Sequence, residues 1–143
     1  MRILMVSDVY FPRVNGVSTS IQTFRQDLID LGHACRLIAP QYLQAPHIAD
    51  DSDIARISSW QVPRDPEDRA FNWSEFMRST SQLRPEDVDV VHIQTPFLAH
   101  YAGVRVARRL GAPIVETYHT YFEHYLHHYV PGLPASWMKA LAR

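Results

Sequence analysis

Cysteine occurs once in this sequence of 143 residues, and the charged residues almost cancel. The single thiol, Cys35, excludes an internal disulfide framework and is typical of a reducing compartment. The formal net charge of −1 excludes a strongly basic surface, so we expect no nucleic-acid partner. The opening apolar run, 3–6, is too short for a signal peptide, and no run reaches the roughly 20 apolar residues of a membrane span. These absences predict a cytoplasmic protein and leave open a peripheral position at the inner membrane face.

Glycine is also scarce, with five residues in the whole chain. Neither the Gly-x-Gly-x-x-Gly dinucleotide fingerprint nor a Walker A motif is present, which argues against an NAD enzyme and a P-loop NTPase. Hydrophobic residues make up 46% of the chain and charged residues 20%, a composition too apolar for disorder. The length fits one domain, 1–143, that buries a core of its own.

Apolar, β-branched runs alternate with segments whose apolar residues recur at helical spacing. This alternation predicts an α/β fold: a doubly wound, mostly parallel, Rossmann-like sheet with helices on both faces, in three αβα layers. Asn15 competes with a Thr19–Gln22 capping box for the start of the first helix, and Gly32 and Gly111 are placed to end helices. The predicted strands are 3–6, 34–39, 54–57, 88–93 and 113–118, and the predicted helices are 17–31, 73–83, 98–110 and a last one from 135.

The first loop, 7–16, joins the first predicted strand to the first predicted helix. Amides at a helix N-terminus and the helix dipole favour a phosphate at this place. Gly16 would let a ligand approach the backbone closely. The alternative is that Gly16 simply makes the turn.

His119 is the first polar residue after the predicted strand 113–118. In open α/β sheets, ligands bind outside the carboxyl ends of the strands, which makes His119 the leading candidate for a functional residue. A neutral imidazole there can bond a sugar hydroxyl or stabilise developing charge. The alternative is a histidine that is only a hydrogen-bonded neighbour of the core.

Histidines and aromatic residues crowd the segment 119–129. His124 and His128 have the spacing of a metal half-site on a helix. No His-Glu-x-x-His motif accompanies them and no third ligand is evident, so we expect no metal and favour an aromatic, hydrogen-bonding wall.

Three arginines, Arg105, Arg108 and Arg109, fall on one side of the predicted helix 98–110. They can contact anionic lipid headgroups. A solvated helix face is the favoured interpretation, because charge runs usually mean no more.

Several motifs together resemble family 4 retaining glycosyltransferases of the GT-B fold. The opening Met-Arg-Ile-Leu-Met-Val-Ser-Asp-Val-Tyr-Phe-Pro-Arg-Val-Asn-Gly-Val-Ser and the later Leu31-Gly32-His33 are similar to the start of that family. The segments 91–96, Val-His-Ile-Gln-Thr-Pro, and 116–121, Glu-Thr-Tyr-His-Thr-Tyr, with 125–129 behind them, resemble its diacylglycerol glucosyltransferases and phosphatidylinositol mannosyltransferases.

The resemblance implies two Rossmann-like domains across a cleft, of which 1–143 would be the N-terminal, acceptor-side domain. It implies transfer of a hexose from a nucleotide sugar to a lipid or glycosyl-carrier acceptor, with retention and without a cofactor or tightly bound metal. His119 would be catalytic and contact the donor sugar, and Gly16 would let the first loop approach the donor phosphate. Asn15, Thr120 and Tyr125 would be neighbours in the cleft.

The sequence departs from the family because the C-terminal, donor-binding domain with its Glu-x7-Glu motif is absent. Glu67 and Glu75 have that spacing in the wrong domain and are interpreted as coincidence. The 143-residue chain alone is therefore expected to be inactive and to bind nucleotide sugar weakly. Its uncovered aromatic face, with Tyr121, Tyr125 and Tyr129, is expected to self-associate. The alternative function is a non-catalytic sugar- or nucleotide-binding or interaction module, and a weaker one is a metal protein using His124 and His128.

Overall fold

A computed structural model of the chain describes residues 1–42, 52–62 and 65–119. The strands are β1 (Arg2–Val6), β2 (Ala34–Pro40), β3 (Ile54–Ile57), β4 (Ser59–Val62), β5 (Asp65–Phe71), β6 (Val90–Ile93) and β7 (Ile114–Glu116). The helices are α1 (Gly16–Asp30), α2 (Trp73–Thr80) and α3 (Leu98–Leu110), with a short 3-10 helix at Pro85–Asp87.

Five of the strands form one sheet in the order β3-β2-β1-β6-β7, and every neighbouring pair in it is parallel. The chain adds strands outward from β1 to β3 on one side and then returns to β6 on the other. The junction of β1 and β6 is therefore the topological switch point, the place where ligands bind in open α/β sheets. The predicted doubly wound, Rossmann-like α/β fold is confirmed.

Alternate residues of the strands point to opposite faces of this sheet and fill two separate cores. Ile3 and Met5 of β1 belong to the core that includes Ile21 of α1. Leu4 and Val6 belong to the core that packs under α3 and also includes Phe76 of α2. Helices thus cover both faces, as the three-layer prediction requires.

Close approach of α3 to the sheet depends on Gly103. A Cβ atom at this position would lie 2.7 Å from Cγ1 of Ile93. Because real carbon contacts are longer, a side chain at Gly103 would push α3 away from β6. This glycine fixes where the N-terminus of α3 stands relative to the end of β6.

The start of α1 settles the choice between two predicted caps. Asn15 is the N-cap: its Oδ1 accepts a hydrogen bond of 2.8 Å from the backbone N–H of Ser18. The Thr19 hydroxyl instead donates to the Asn15 carbonyl at 3.0 Å, so it does not cap the helix. Gly32 follows the helix with a φ of 83°, as a C-terminal glycine should.

The apolar stripe of α1 is only partly buried. Ile21 is completely buried, but Phe24 is 44% exposed and Leu31 is 72% exposed. Ser18 and Arg25 are buried in their place, with the Arg25 Nε donating to the Cys35 carbonyl at 3.2 Å. The face that α1 turns to the sheet is therefore more polar than its apolar spacing indicated.

The antiparallel pair of β4 and β5 has no counterpart in the predicted elements. The segment Asp65–Phe71 contains a proline and four charged residues, so it lacks the apolar alternation that marks a strand. Helix α2 ends at Thr80 rather than at residue 83, and β6 and β7 are shorter than the predicted 88–93 and 113–118. In the parts of the chain described, no helix is long and apolar enough to cross a membrane.

Candidate functional site

The carboxyl ends of β1, β6 and β7 meet at one edge of the sheet, and each strand is followed there by polar side chains. Two groups form on opposite sides of this edge. The aspartate cluster, on the α3 side, consists of Asp8, Thr95 and the backbone of Ala99. The histidine cluster, on the α1 side, consists of His92, Gln94, Thr117 and His119.

The groups of the aspartate cluster are hydrogen-bonded to one another. Asp8 is 5% exposed, and its carboxylate oxygens accept from the Ala99 N–H at 3.1 and 3.0 Å. The Thr95 hydroxyl donates to Oδ2 of Asp8 at 2.8 Å and accepts from the Asp8 N–H at 2.8 Å. Because Phe97, the N-cap of α3, makes no capping side-chain bond, Asp8 supplies the cap from another strand. The helix dipole favours this negative charge.

The histidine cluster consists of two hydrogen-bonded pairs. His92 Nε2 lies 2.7 Å from the Thr117 hydroxyl, and His119 Nε2 lies 3.0 Å from Oε1 of Gln94. Gln94 is 1% exposed, whereas His119 is half-buried. The edge-on contact of the Phe24 ring with His92, at 6.1 Å between centroids, places the cluster under α1. His119 thus stands at the strand end where the sequence predicts it.

One atom of this cluster is unpaired. Within the described part of the chain, Nε2 of Gln94 is buried and has no hydrogen-bond partner. A buried polar group left in this state costs about 1–3 kcal/mol. The amide therefore differs from every group of the aspartate cluster, where each buried oxygen has a donor.

Both histidines of the cluster favour the neutral form. Burial lowers the pKa of His119 below its usual value. Burial also lowers the pKa of His92, and the charge of His119 lowers it further. A neutral imidazole has one N–H donor and one nitrogen acceptor, which suits hydrogen bonding to hydroxyl groups.

Gly16 is the first residue of α1, and its environment is open. A Cβ atom there would meet nothing within 4 Å, and the positive φ values belong to Gly32 and Gly111 instead. Neither packing nor backbone conformation therefore requires glycine at this position. Among the described residues, space remains beside the helix N-terminus. Asn15 uses its side-chain oxygen for capping.

A basic and aromatic cluster near the carboxyl ends of β2 and β3 is absent from the sequence-based candidates. The Arg56 guanidinium lies 5.4 Å from the Tyr10 ring centroid and donates to two backbone carbonyls at 2.7 and 3.0 Å. The Arg69 guanidinium lies 5.2 Å from the Tyr42 ring. Burial raises the pKa of the Tyr42 phenol, while the charges of Arg13, Arg69 and Arg56 act in the opposite direction. These partners are far apart in sequence, so no local pattern reveals them.

The other residues singled out from the sequence either lie outside the described residues or have a different role. Thr120 and Tyr125, like His124 and His128, lie outside the described residues, and so does the aromatic face expected to self-associate. No group of three or more metal-ligating side chains occurs in ranges 1–42, 52–62 and 65–119. Glu75 accepts from the N–H and hydroxyl of Ser58, so it fastens α2 to the β3–β4 turn.

The three arginines of α3 are exposed, and one of them also contacts the neighbouring helix. Arg109 donates to the carbonyls of Thr80, Ser81 and Leu83 at 2.6, 3.1 and 3.4 Å, which ties α3 to the end of α2. Arg105, Arg108 and Arg109 are all exposed, which agrees with a solvated face, and Arg109 makes these backbone contacts in addition.

Comparison with known proteins gives one consistent result. The family model described as Glycosyltransferase Family 4 matches residues 14–143. The alpha-monoglucosyldiacylglycerol synthase of Streptococcus pneumoniae is 34% identical over 140 residues, which cover 93% of the chain and 30% of that protein. The enzyme of the same name from Acholeplasma laidlawii is 33% identical over 129 residues, 90% of the chain and 32% of that protein.

The GDP-mannose-dependent alpha-mannosyltransferase of Mycobacterium tuberculosis is also similar. It is 34% identical over 124 residues, which cover 84% of the chain and 32% of that protein. The chain thus spans about 30% of the length of the curated relatives that it matches.

Proposed function

The chain belongs to Glycosyltransferase Family 4, and from this premise we propose that it is the acceptor-side half of a retaining glycosyltransferase. The enzyme moves a hexose from a nucleotide sugar to a lipid or a glycosyl-carrier acceptor. The observation that carries the proposal is the neutral, half-buried His119 at the carboxyl end of β7, beside the topological switch point. A second domain, outside this chain, completes the cleft and holds most of the donor.

In the transfer reaction, the proposed role of this domain is to position the donor and to stabilise the developing charge. The bond between the sugar and the donor phosphate breaks, and the leaving phosphate carries the negative charge. The first amides of α1, with open space at Gly16, are suited to an anion at this place. His119 meets the sugar as a neutral hydrogen-bonding group, with Thr120 and Tyr125 as its proposed neighbours in the cleft.

The acceptor is proposed to lie over the carboxyl ends of β2 and β3. The guanidinium groups of Arg56 and Arg69, which lie over the Tyr10 and Tyr42 rings, offer cationic hydrogen-bond donors there. Such a surface suits a head group that carries hydroxyls or a phosphate. The names of the relatives, which include a monoglucosyldiacylglycerol synthase, support a lipid acceptor. With such an acceptor, the proposed enzyme is cytoplasmic and in peripheral contact with the inner membrane face.

The second candidate function is a non-catalytic sugar- or nucleotide-binding module. If the natural gene product is no longer than this chain, half of the cleft is missing and transfer cannot occur.

The experiment is a transfer assay with the natural gene product isolated from its own cell, after its intact mass has been measured. Labelled nucleotide hexoses that include GDP-mannose are offered with diacylglycerol and phospholipid acceptors. We expect transfer by the gene product, and neither turnover nor tight nucleotide-sugar binding by residues 1–143 alone. Efficient turnover by 1–143 would contradict the two-domain proposal. A gene product of 16.5 kDa that binds nucleotide sugar without transfer would establish the binding module instead.

A further inference from the structure

Gln94 is the buried partner of His119 in the histidine cluster, and its position is fixed. Its backbone N–H donates to the Val6 carbonyl at 2.9 Å, which continues the ladder between β1 and β6 beyond the end of β6. Its side chain is 1% exposed, and Oε1 lies 3.0 Å from Nε2 of His119. The amide has therefore little freedom to choose another arrangement.

The contact determines which nitrogen of His119 carries the proton. A carboxamide oxygen only accepts hydrogen bonds, and a neutral imidazole has a single N–H. A hydrogen bond to Oε1 therefore requires the Nε2–H tautomer of His119. In that tautomer Nδ1 has a free lone pair and accepts from a hydroxyl group.

We propose that Gln94 is a positioning residue: its oxygen holds His119 as the Nε2–H tautomer, and its free amide hydrogens donate to an oxygen of the bound sugar. His119 then accepts from a sugar hydroxyl through Nδ1, while Nε2 of Gln94 donates to a second sugar oxygen. The identity of the ligand as a sugar rests on the proposed function. The tautomer rests only on the geometry of the histidine cluster.

Two unpaired buried groups at this edge of the sheet indicate that a ligand binds there. Nε2 of Gln94 and the Ser18 hydroxyl, in the first turn of α1, are both buried and unpartnered within the described residues. Both lie on the α1 side of the sheet, whereas Asp8 and Thr95 on the other side are paired with each other. Leucine would fill the volume of Gln94 without leaving a buried donor unpaired. A purely structural role therefore leaves the amide unexplained.

The first test reads the tautomer directly. The chain is labelled with 15N-histidine, and the ring nitrogens of His119 are assigned by comparison with His119→Gln. At a pH where the ring is neutral, we expect a protonated Nε2 and an unprotonated Nδ1. A protonated Nδ1 would overturn the inference, because Gln94 would then have to donate to the ring.

The second test uses two substitutions with different expected signatures. Gln94→Leu removes both the acceptor and the donors, so we expect a mixture of His119 tautomers and a fall in kcat/KM of roughly tenfold to hundredfold. Gln94→Glu keeps an oxygen for the Nε2–H and loses the donors, so the tautomer persists while kcat/KM still falls. Gln22→Leu, at an exposed position of α1, is the matched control and leaves both readouts unchanged.

Thermal stability separates positioning from packing. Gln94→Leu is expected to keep or raise Tm, because it removes an unpaired buried donor. A lower Tm with unchanged tautomer and unchanged kcat/KM would show a structural residue and overturn the inference. If the gene product proves inactive, the proposed function fails. The Nε2–H tautomer in the parent and its loss in Gln94→Leu would still establish the positioning role.

Discussion

The two clusters at the carboxyl edge of the sheet differ although they are built from neighbouring residues. Thr95 belongs to the aspartate cluster and donates to a buried carboxylate that also receives a helix amide. Gln94, one residue earlier, belongs to the histidine cluster, and its amide nitrogen has no hydrogen-bond partner among residues 1–42, 52–62 and 65–119. The alternation of side chains along a strand sends the two residues to opposite faces. Among the described residues, the buried groups on one side of the edge are paired, and the other side keeps an unpaired donor, where we propose that the ligand binds.

The difference shows how stability and binding are divided at this site. A hydrogen-bonded buried network fixes the relative positions of its members. The aspartate cluster therefore holds the ends of β1 and β6 to the N-terminus of α3. An incomplete network costs stability unless a ligand completes it. The histidine cluster has that property, and its half-buried member, His119, remains accessible.

The largest expected effect on stability comes from a substitution that breaks the aspartate cluster. In Asp8→Asn the amide nitrogen replaces an acceptor and faces donors of Ala99 or Thr95, so buried hydrogen bonds are lost. We expect the free energy of unfolding to fall by about 3 kcal/mol, measured by chemical denaturation.

Asp27→Asn, at an exposed position of α1, is the control and is expected to change stability little. An Asp8→Asn protein as stable as the parent would show that the aspartate cluster does not hold the strand ends. The division between the two sides of the edge would then be wrong.

A smaller effect on the free energy of unfolding is expected when the pH is lowered, because His92 of the histidine cluster titrates. Burial and the charge of His119 lower the pKa of His92 from 6.5, so below pH 6.5 the unfolded chain takes up a proton that the folded chain resists. The stability that depends on neutral His92 is therefore complete above pH 6.5 and decreases as the pH falls through the folded-state pKa.

His92→Gln keeps a side chain that can bond Thr117 and cannot titrate. Unfolding free energies measured at several pH values from neutral to mildly acidic should fall less steeply for this variant than for the parent. Equal slopes would mean that His92 is not held neutral in the folded protein.

Local patterns predicted the framework well, because its signals are local. Gly111 ends α3 with a φ of 66°, and β1 and β3 lie where apolar runs indicated. One general rule about strand ends singles out His119 as a candidate, and the structure places it beside Gln94. The exposure of Phe24 was missed, since helical spacing does not say how far a helix overlaps the sheet.

The partners within the site were beyond local reasoning. Asp8 caps a helix whose N-terminus lies 91 residues away in sequence, and His119 pairs with Gln94 across 25 residues. The importance of Gln94 follows only from its burial and its unpaired nitrogen, which require the packed structure. Its position in the motif 91–96 gave no reason to separate it from its neighbours.

The most direct test of the account is the turnover of His119→Ala in the transfer assay with the natural gene product. Removal of one preorganised hydrogen-bonding group should lower kcat by about 100-fold or more, while the melting temperature stays close to that of the parent. His33→Ala, beside the N-terminal amine at the opposite end of the sheet, is the control and should keep its kcat. An unchanged kcat for His119→Ala would contradict the account, because the histidine cluster would then lie outside the site of transfer.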